Sequence, residues 1–246
     1  MTKYNYPKGV DRKFRLPRIW SNFELKKFTH LFEGKIINVS GWKDEDKEGR
    51  KYADYFLNKS GYSISNHPGD SIKGIQDEIN QIELDLEQEL SSELISAFDV
   101  VFNHTVLEHV YDFHKAIENI CLMSKDIIIT VVPFLQQMHG FSDIGGYGDY
   151  WRFSPTSLDK LFKARGFETL YLSYNREEEA SVYIFCISSK NPQKWKDHFP
   201  LSFTYKEDHR TKDGFKSFVG ANALLNKSYI RQKQNWLKKI TGLGEK

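Results

Sequence analysis

The run "FDVVFNHTVLEHV", Phe98 to Val110, concentrates residue types that can do chemistry. An apolar stretch of strand character stops at Asn103, and His104, Glu108 and His109 follow at once. Imidazole titrates near neutral pH, so a histidine at the mouth of a cleft can take up or return a proton. Another histidine, His139, follows the apolar run "DIIITVVPF" (126–134), and beyond it stands "DYWRF" (149–153). There Trp151 offers a flat face for a sugar ring or a base, and Arg152 a planar fork for a carboxylate or phosphate. The competing reading of the same residues is an aromatic cluster with Arg152 paired to Asp149. No metal site is expected. His104, His109 and His114 recur every five residues, which does not align them on a helix face, and no HExxH or paired-cysteine motif is present.

Such residues need rigid elements behind them. The short apolar runs 34–40, 98–103 and 126–134 suit strands buried on both faces, as in a parallel sheet. Further strands are expected at 62–67 and 81–87, and an antiparallel edge pair at 168–174 and 181–189. Helices are expected at 21–32 with Ser21 as cap, at 47–61 closed by Gly61, at 88–97, at 113–123, and at 154–167 with Ser154 and Pro155 at its start and Gly166 at its end. A short helix at 70–80 completes the series. Alternation of this kind predicts an α/β fold with a doubly wound, mostly parallel sheet. Ligands bind such sheets outside the carboxyl ends of the strands. Asn103 to His109 then lie on the binding rim, and the glycines of "GGYGDY" make the later segment a candidate lid.

The chain divides into an N-terminal arm and helix (1–33), an α/β domain (34–190) and a basic C-terminal extension (191–246). Residues 223–240 of the extension read as an amphipathic helix packed on the domain. A formal charge of +2 over 246 residues gives no electrostatic case for nucleic acid. Cys121 and Cys186 sit in apolar runs and read as buried thiols of a reducing compartment. Neither an apolar leader nor a membrane-length apolar run is visible, so a cytoplasmic protein without a membrane span is expected, possible also as a homo-oligomer.

Several blocks, in order, resemble the class I S-adenosylmethionine-dependent methyltransferases, and within them the bacterial branch associated with sugars and surface polysaccharides. They are "KIINVSG", "IELDLE", "FDVVFNHTVLEHV", "IIITVVPF" and "HGFSDIGGYGDYWRFSPTSLDKLFKARGFE", spanning about residues 34–190. The resemblance implies a seven-stranded Rossmann-like methyltransferase sheet and S-adenosylmethionine as cofactor. It implies His109 or His139 as the base, and Asp85 with the Leu86 backbone N–H at the adenine. Asn38, Ser40 and Gly41 fall in its first-strand loop, Asn66 at the ribose, and Asn103 and His104 near the cofactor. Glu108, Tyr150, Trp151 and Arg152 fall on the substrate side. The acceptor implied is a hydroxyl or amine of a small polar molecule, such as a sugar or sugar nucleotide. The sequence departs from the pattern where Asn38 replaces an acid, Ser40 and Trp42 replace glycines, and Asn66 stands where an acid would hold the ribose. Those departures motivate a second reading, a non-catalytic methyltransferase-like protein that has lost the cofactor and binds a partner or glycan intermediate.

Overall fold

The computed structural model describes residues 4–68, 81–139, 148–175, 177 and 180–199. The expected helices at 70–80 and 223–240, and Gly145 and Gly146 of the expected lid, lie outside the described residues. Strands β1 (Glu33–Val39), β2 (Asn58–Asn66), β3 (Gln81–Glu83), β4 (Phe98–His104), β5 (Ser124–Leu135), β6 (Glu168–Tyr174) and β7 (Val182–Ser189) form one sheet. Their order is β3-β2-β1-β4-β5-β7-β6. β1 to β5 run parallel, and β7 enters antiparallel between β5 and β6. The seven-stranded, mostly parallel sheet expected from the sequence is therefore present.

Helix α1 (Arg15–Phe28) covers one face, where Trp20 and Leu25 pack with Ile36, Val100, Phe102 and Ile129. Helices α2 (Phe113–Met123) and α3 (Pro155–Lys163) cover the other, where Ile117, Leu158 and Phe162 meet Ile37, Val101 and Ile128. Burial of each large apolar side chain is worth about 1.5–3 kcal/mol. β4 and β5, buried on both faces, are thus the rigid floor from which the rim projects. Trp20 and Leu25 of α1 thus share a core with Ile36 of β1.

α1 begins six residues before the expected cap. Asp11 accepts the N–H groups of Lys13, Phe14 and Arg15, and starts the helix. Pro17 falls in the first turn, where its missing N–H costs nothing. Ser21 lies inside the helix, with its hydroxyl 2.7 Å from the Arg18 carbonyl. α3 matches expectation: Ser154 and Ser157 cap each other's N–H groups, Pro155 opens the helix, and Gly166 adopts φ +80° just beyond it.

Two expected helices do not form. Residues 88–97 contain only a single turn, Ser92–Leu94. Residues 47–61 give one turn, Tyr52–Tyr55, after which the chain enters β2 with Gly61 in the strand. For the second of these the cause is local competition for backbone donors. Asp46 accepts the N–H groups of Glu48 and Arg50, and Asp44 that of Ala53. Both carboxylates are buried, with Asn38 and Tyr62 also donating to Asp44 and Tyr55 to Asp46. β1 and β2 are consequently joined by a self-bonded loop and no α-helix.

Candidate active site at the carboxyl ends of β4 and β5

β4 ends in a sharp turn. Thr105 adopts φ +54°, a left-handed conformation costly for a β-branched residue, and its N–H is tied to the Val131 carbonyl at 2.7 Å. The turn sends the chain into the short 3-10 segment Leu107–His109 and drives Glu108 inward. The segment docks on residues 148–151. The Glu108 carbonyl accepts from the N–H groups of Tyr150 (2.8 Å) and Trp151 (3.2 Å), and His109 Nδ1 lies 2.6 Å from the Gly148 carbonyl oxygen.

His109 and His139, separate candidates in the sequence, are brought together: their rings meet edge to face, centroids 4.9 Å apart. His139 Nδ1 lies 3.2 Å from Asp149 Oδ2, the same oxygen that accepts the His139 backbone N–H at 2.7 Å. Burial lowers the pKa of both imidazoles, more than the Gly148 carbonyl and Asp149 raise them. Both are accordingly neutral near pH 7 and able to accept a proton. Burial alone would raise the Asp149 carboxyl, but the Arg152 guanidinium and the His139 N–H hold it below the usual carboxylate range.

Arg152 follows the competing reading, paired with Asp149. Its five N–H donors make five bonds: to both Asp149 oxygens (2.5 and 2.7 Å) and to the carbonyls of Gln136, Gln137 and Trp151. No donor remains for an acidic substrate, so Arg152 acts here by fixing Asp149, which in turn fixes His139. Trp151 is likewise occupied. Its ring packs on Phe113 and its Nε1 donates to the Tyr111 carbonyl. The exposed aromatic faces beside it are Tyr150 and Tyr111, in edge contact at 5.4 Å.

Glu108, expected on the substrate side of the rim, is fully buried. The His109 imidazole lies beside it, with Nε2 3.7 Å from Oε1, and neither carboxylate oxygen has a hydrogen-bond partner among the described residues. Burial pushes its carboxyl up to about 8. Glu108, His109 and His139 each offer one ligand atom, all within 4.8 Å of one another. The spacing of His104, His109 and His114 concealed this grouping, because its third member comes from the end of β5.

His104 lies apart, on the α1 face, among Ser21, Tyr52 and Phe102. Burial, helped by the nearby Arg18 charge, pushes its pKa down to about 3. Arg18 itself was missed in a segment read as an irregular arm. Its guanidinium reaches Thr105 at 3.3 Å. The available signal was a lone arginine among Leu16, Ile19 and Trp20, all buried.

The loop after β1 stands on its own bonds. The N–H groups of Ser40, Gly41 and Trp42 donate to Ser65 Oγ, the Ser65 carbonyl and Asn66 Oδ1 respectively, and Asn66 Nδ2 donates to the Trp42 carbonyl. Ser40 and Trp42 adopt φ +53° and +52°. A side chain at Gly41 would meet the Asn38 amide at 2.6 Å. Beyond β3, Asp85 is part-exposed, with Oδ1 accepting the Glu87 N–H, and Leu86 is buried. Asn103 is wholly buried at the end of β4, with both side-chain polar atoms lacking partners among the described residues.

No protein-family model and no curated protein matches the sequence. Solved structures do. A 1,6-didemethyltoxoflavin-N1-methyltransferase of Burkholderia thailandensis, with bound S-adenosylhomocysteine, superposes with a TM-score of 0.50 at 13% identity over 72% of this chain and 79% of that one. A magnesium protoporphyrin IX methyltransferase from Synechocystis gives 0.50 at 10% identity over 76% and 86%. An S-adenosylmethionine-dependent methyltransferase from Clostridium acetobutylicum gives 0.50 at 9% over 74% and 92%. At these identities the likeness is one of fold: the sheet is the Rossmann-like methyltransferase sheet.

The Burkholderia and Synechocystis structures hold S-adenosylhomocysteine and S-adenosylmethionine, and the residues here would fit such a ligand in part. The orphaned Asn103 amide can bond a ligand without losing an existing partner, and the part-exposed carboxylate of Asp85 retains acceptor capacity for an amine. Asn66 and the N–H groups of Ser40 to Trp42 fit less well, being already bonded to one another across β1 and β2.

Proposed function

We propose that the protein is an S-adenosylmethionine-dependent methyltransferase that acts on a hydroxyl or amine of a small polar molecule, a sugar or surface-glycan precursor being the preferred class. The observation that carries this reading is the pair of neutral histidines held edge to face at the carboxyl ends of β4 and β5. Asp85 and the Leu86 backbone N–H would hold the adenine, and Asn103 the opposite end of the cofactor. When bound, S-adenosylmethionine supplies a methyl group already activated on a sulfonium. The protein's share is alignment and proton removal. His109 or His139 takes the acceptor's proton, with Asp149 orienting His139 and stabilising its imidazolium. The buried surroundings keep both bases neutral until the proton arrives. Tyr150 and Tyr111 offer the faces on which a sugar ring would stack, in place of Trp151 and Arg152.

The test is transfer of a labelled methyl group to hydroxyl and amine acceptors by the wild-type, His109→Ala and His139→Ala proteins. Turnover that survives in both variants would remove the histidines from the chemistry. A second reading, binding without methyl transfer, is favoured by one observation: the β1 loop directs its N–H groups to β2. It predicts no cofactor affinity in the wild-type protein.

A further inference from the structure

We infer that Glu108, His109 and His139 are the protein ligands of a divalent transition-metal ion, of the zinc or manganese class. Three features converge on them. The first is distance. One ligand atom from each residue lies within 4.8 Å of the others, and Glu108 Oε1 is 3.7 Å from His109 Nε2. Ligand bonds of about 2.0–2.1 Å in a tetrahedral zinc site imply ligand separations of roughly 3.3 Å, so small side-chain rotations close the set.

The second is how the imidazoles are held. His109 meets the Gly148 carbonyl through Nδ1, and His139 meets Asp149 through Nδ1, with Asp149 fixed by Arg152. Metal-binding histidines are typically oriented this way, one ring nitrogen on a carbonyl or carboxylate and the other turned to the ion. In His109 that other nitrogen is the one facing Glu108.

The third is Glu108 itself. A wholly buried carboxyl with no hydrogen bond to either oxygen among the described residues is costly to keep, and a cation between it and the histidines supplies the missing interaction. Two nitrogens with one carboxylate suit zinc, manganese or iron better than magnesium or calcium, which favour oxygen-only sets. Three protein ligands leave a coordination position open.

One consequence rests on the methyltransferase reading, although the metal site does not. An acceptor with two neighbouring oxygens, a vicinal diol or a 2-hydroxy acid, is the substrate class an open position would select. A histidine that holds the ion cannot also take a proton, so the metal-loaded and metal-free proteins differ in how the acceptor is activated.

The experiment uses the full-length, tag-free protein, stripped with a chelator and titrated calorimetrically with zinc, manganese and magnesium salts. Wild type is compared with Glu108→Gln, which keeps the side chain's shape, and with His139→Asn. Circular dichroism checks each fold. One zinc per chain is expected, with magnesium at least about a hundredfold weaker. Each variant should weaken zinc by about ten- to a hundredfold or more, comparable with or beyond the loss of an outer-shell partner. Absence of stoichiometric zinc in folded wild type overturns the inference, as does unchanged affinity in both variants, which would assign the ion to surface histidines. S-adenosylhomocysteine titrated into the same samples separates the two claims. Its failure to bind sinks the methyltransferase reading and leaves a positive zinc result standing.

Discussion

Arg152 is paired with Asp149 in the structure, one of the two readings that the sequence leaves open for it. As a free fork it would set affinity for an acidic substrate. With all five donors used, it acts through Asp149 on His139. Arg152→Lys keeps the charge but loses the planar pairing. It is expected to lower kcat by roughly tenfold or more with KM nearly unchanged, and a selective rise in KM for acidic acceptors would restore the substrate-binding role. His109→Ala or His139→Ala, whichever removes the base, should cost about two to four orders of magnitude in kcat. Cofactor affinity, read by calorimetry, should stay level in both. The candidate residues could be picked out in sequence; their proximity could not. "LEHV" and His139 are far apart in the chain, and only the parallel pairing of β4 with β5 brings the two strand ends together.

At the scale of elements, the β1–β2 connection carries the clearest departure. Ser40 and Trp42 adopt a left-handed backbone. Left-handed conformations cost a non-glycine residue roughly 1–2 kcal/mol. Ser40→Gly should recover about 1 kcal/mol of stability, measured as a higher urea midpoint with unchanged slope; a lower midpoint would mean that the serine side chain holds the loop. Asn66→Asp is expected to act in the other direction. It replaces the amide donor that bonds the Trp42 carbonyl with a carboxylate, and should cost about 1–3 kcal/mol. An equal or higher urea midpoint would mean that the loop is held elsewhere. The β4 and β5 runs and the Ser154–Pro155 cap were readable because burial and capping leave local signals. The helix expected at 47–61 was not readable as a loop. What prevents it is a pair of buried aspartates whose environment depends on Asn38, Tyr55 and Tyr62.

Across the whole molecule, the sheet order, the antiparallel β7 and the polar rim on β4 and β5 agree with a methyltransferase fold. None of the described helices is long and apolar enough to cross a membrane. Stability should carry the mark of His104, which faces Arg18 and Ser21 from α1 and Tyr52 from the β1–β2 loop. Its folded pKa, about 3, lies below the ordinary value near 6.5, so the unfolded chain binds the extra proton first. The stabilising contribution is therefore present above about pH 6.5 and is lost as pH falls toward 3, by up to about 1.4 kcal/mol per unit. His104→Asn should flatten that part of the profile in urea titrations, and an unaltered slope would place the acid sensitivity elsewhere. The claim on which the functional account turns is that this sheet still binds its cofactor despite the self-bonded β1 loop. Calorimetric titration of the wild-type protein with S-adenosylhomocysteine, repeated with Asp85→Ala, tests it most directly. The account predicts micromolar binding to wild type, weakened in the variant by about 1.5–3 kcal/mol for the lost charge-assisted bond; no heat at millimolar ligand, or equal affinity in the two proteins, would contradict it.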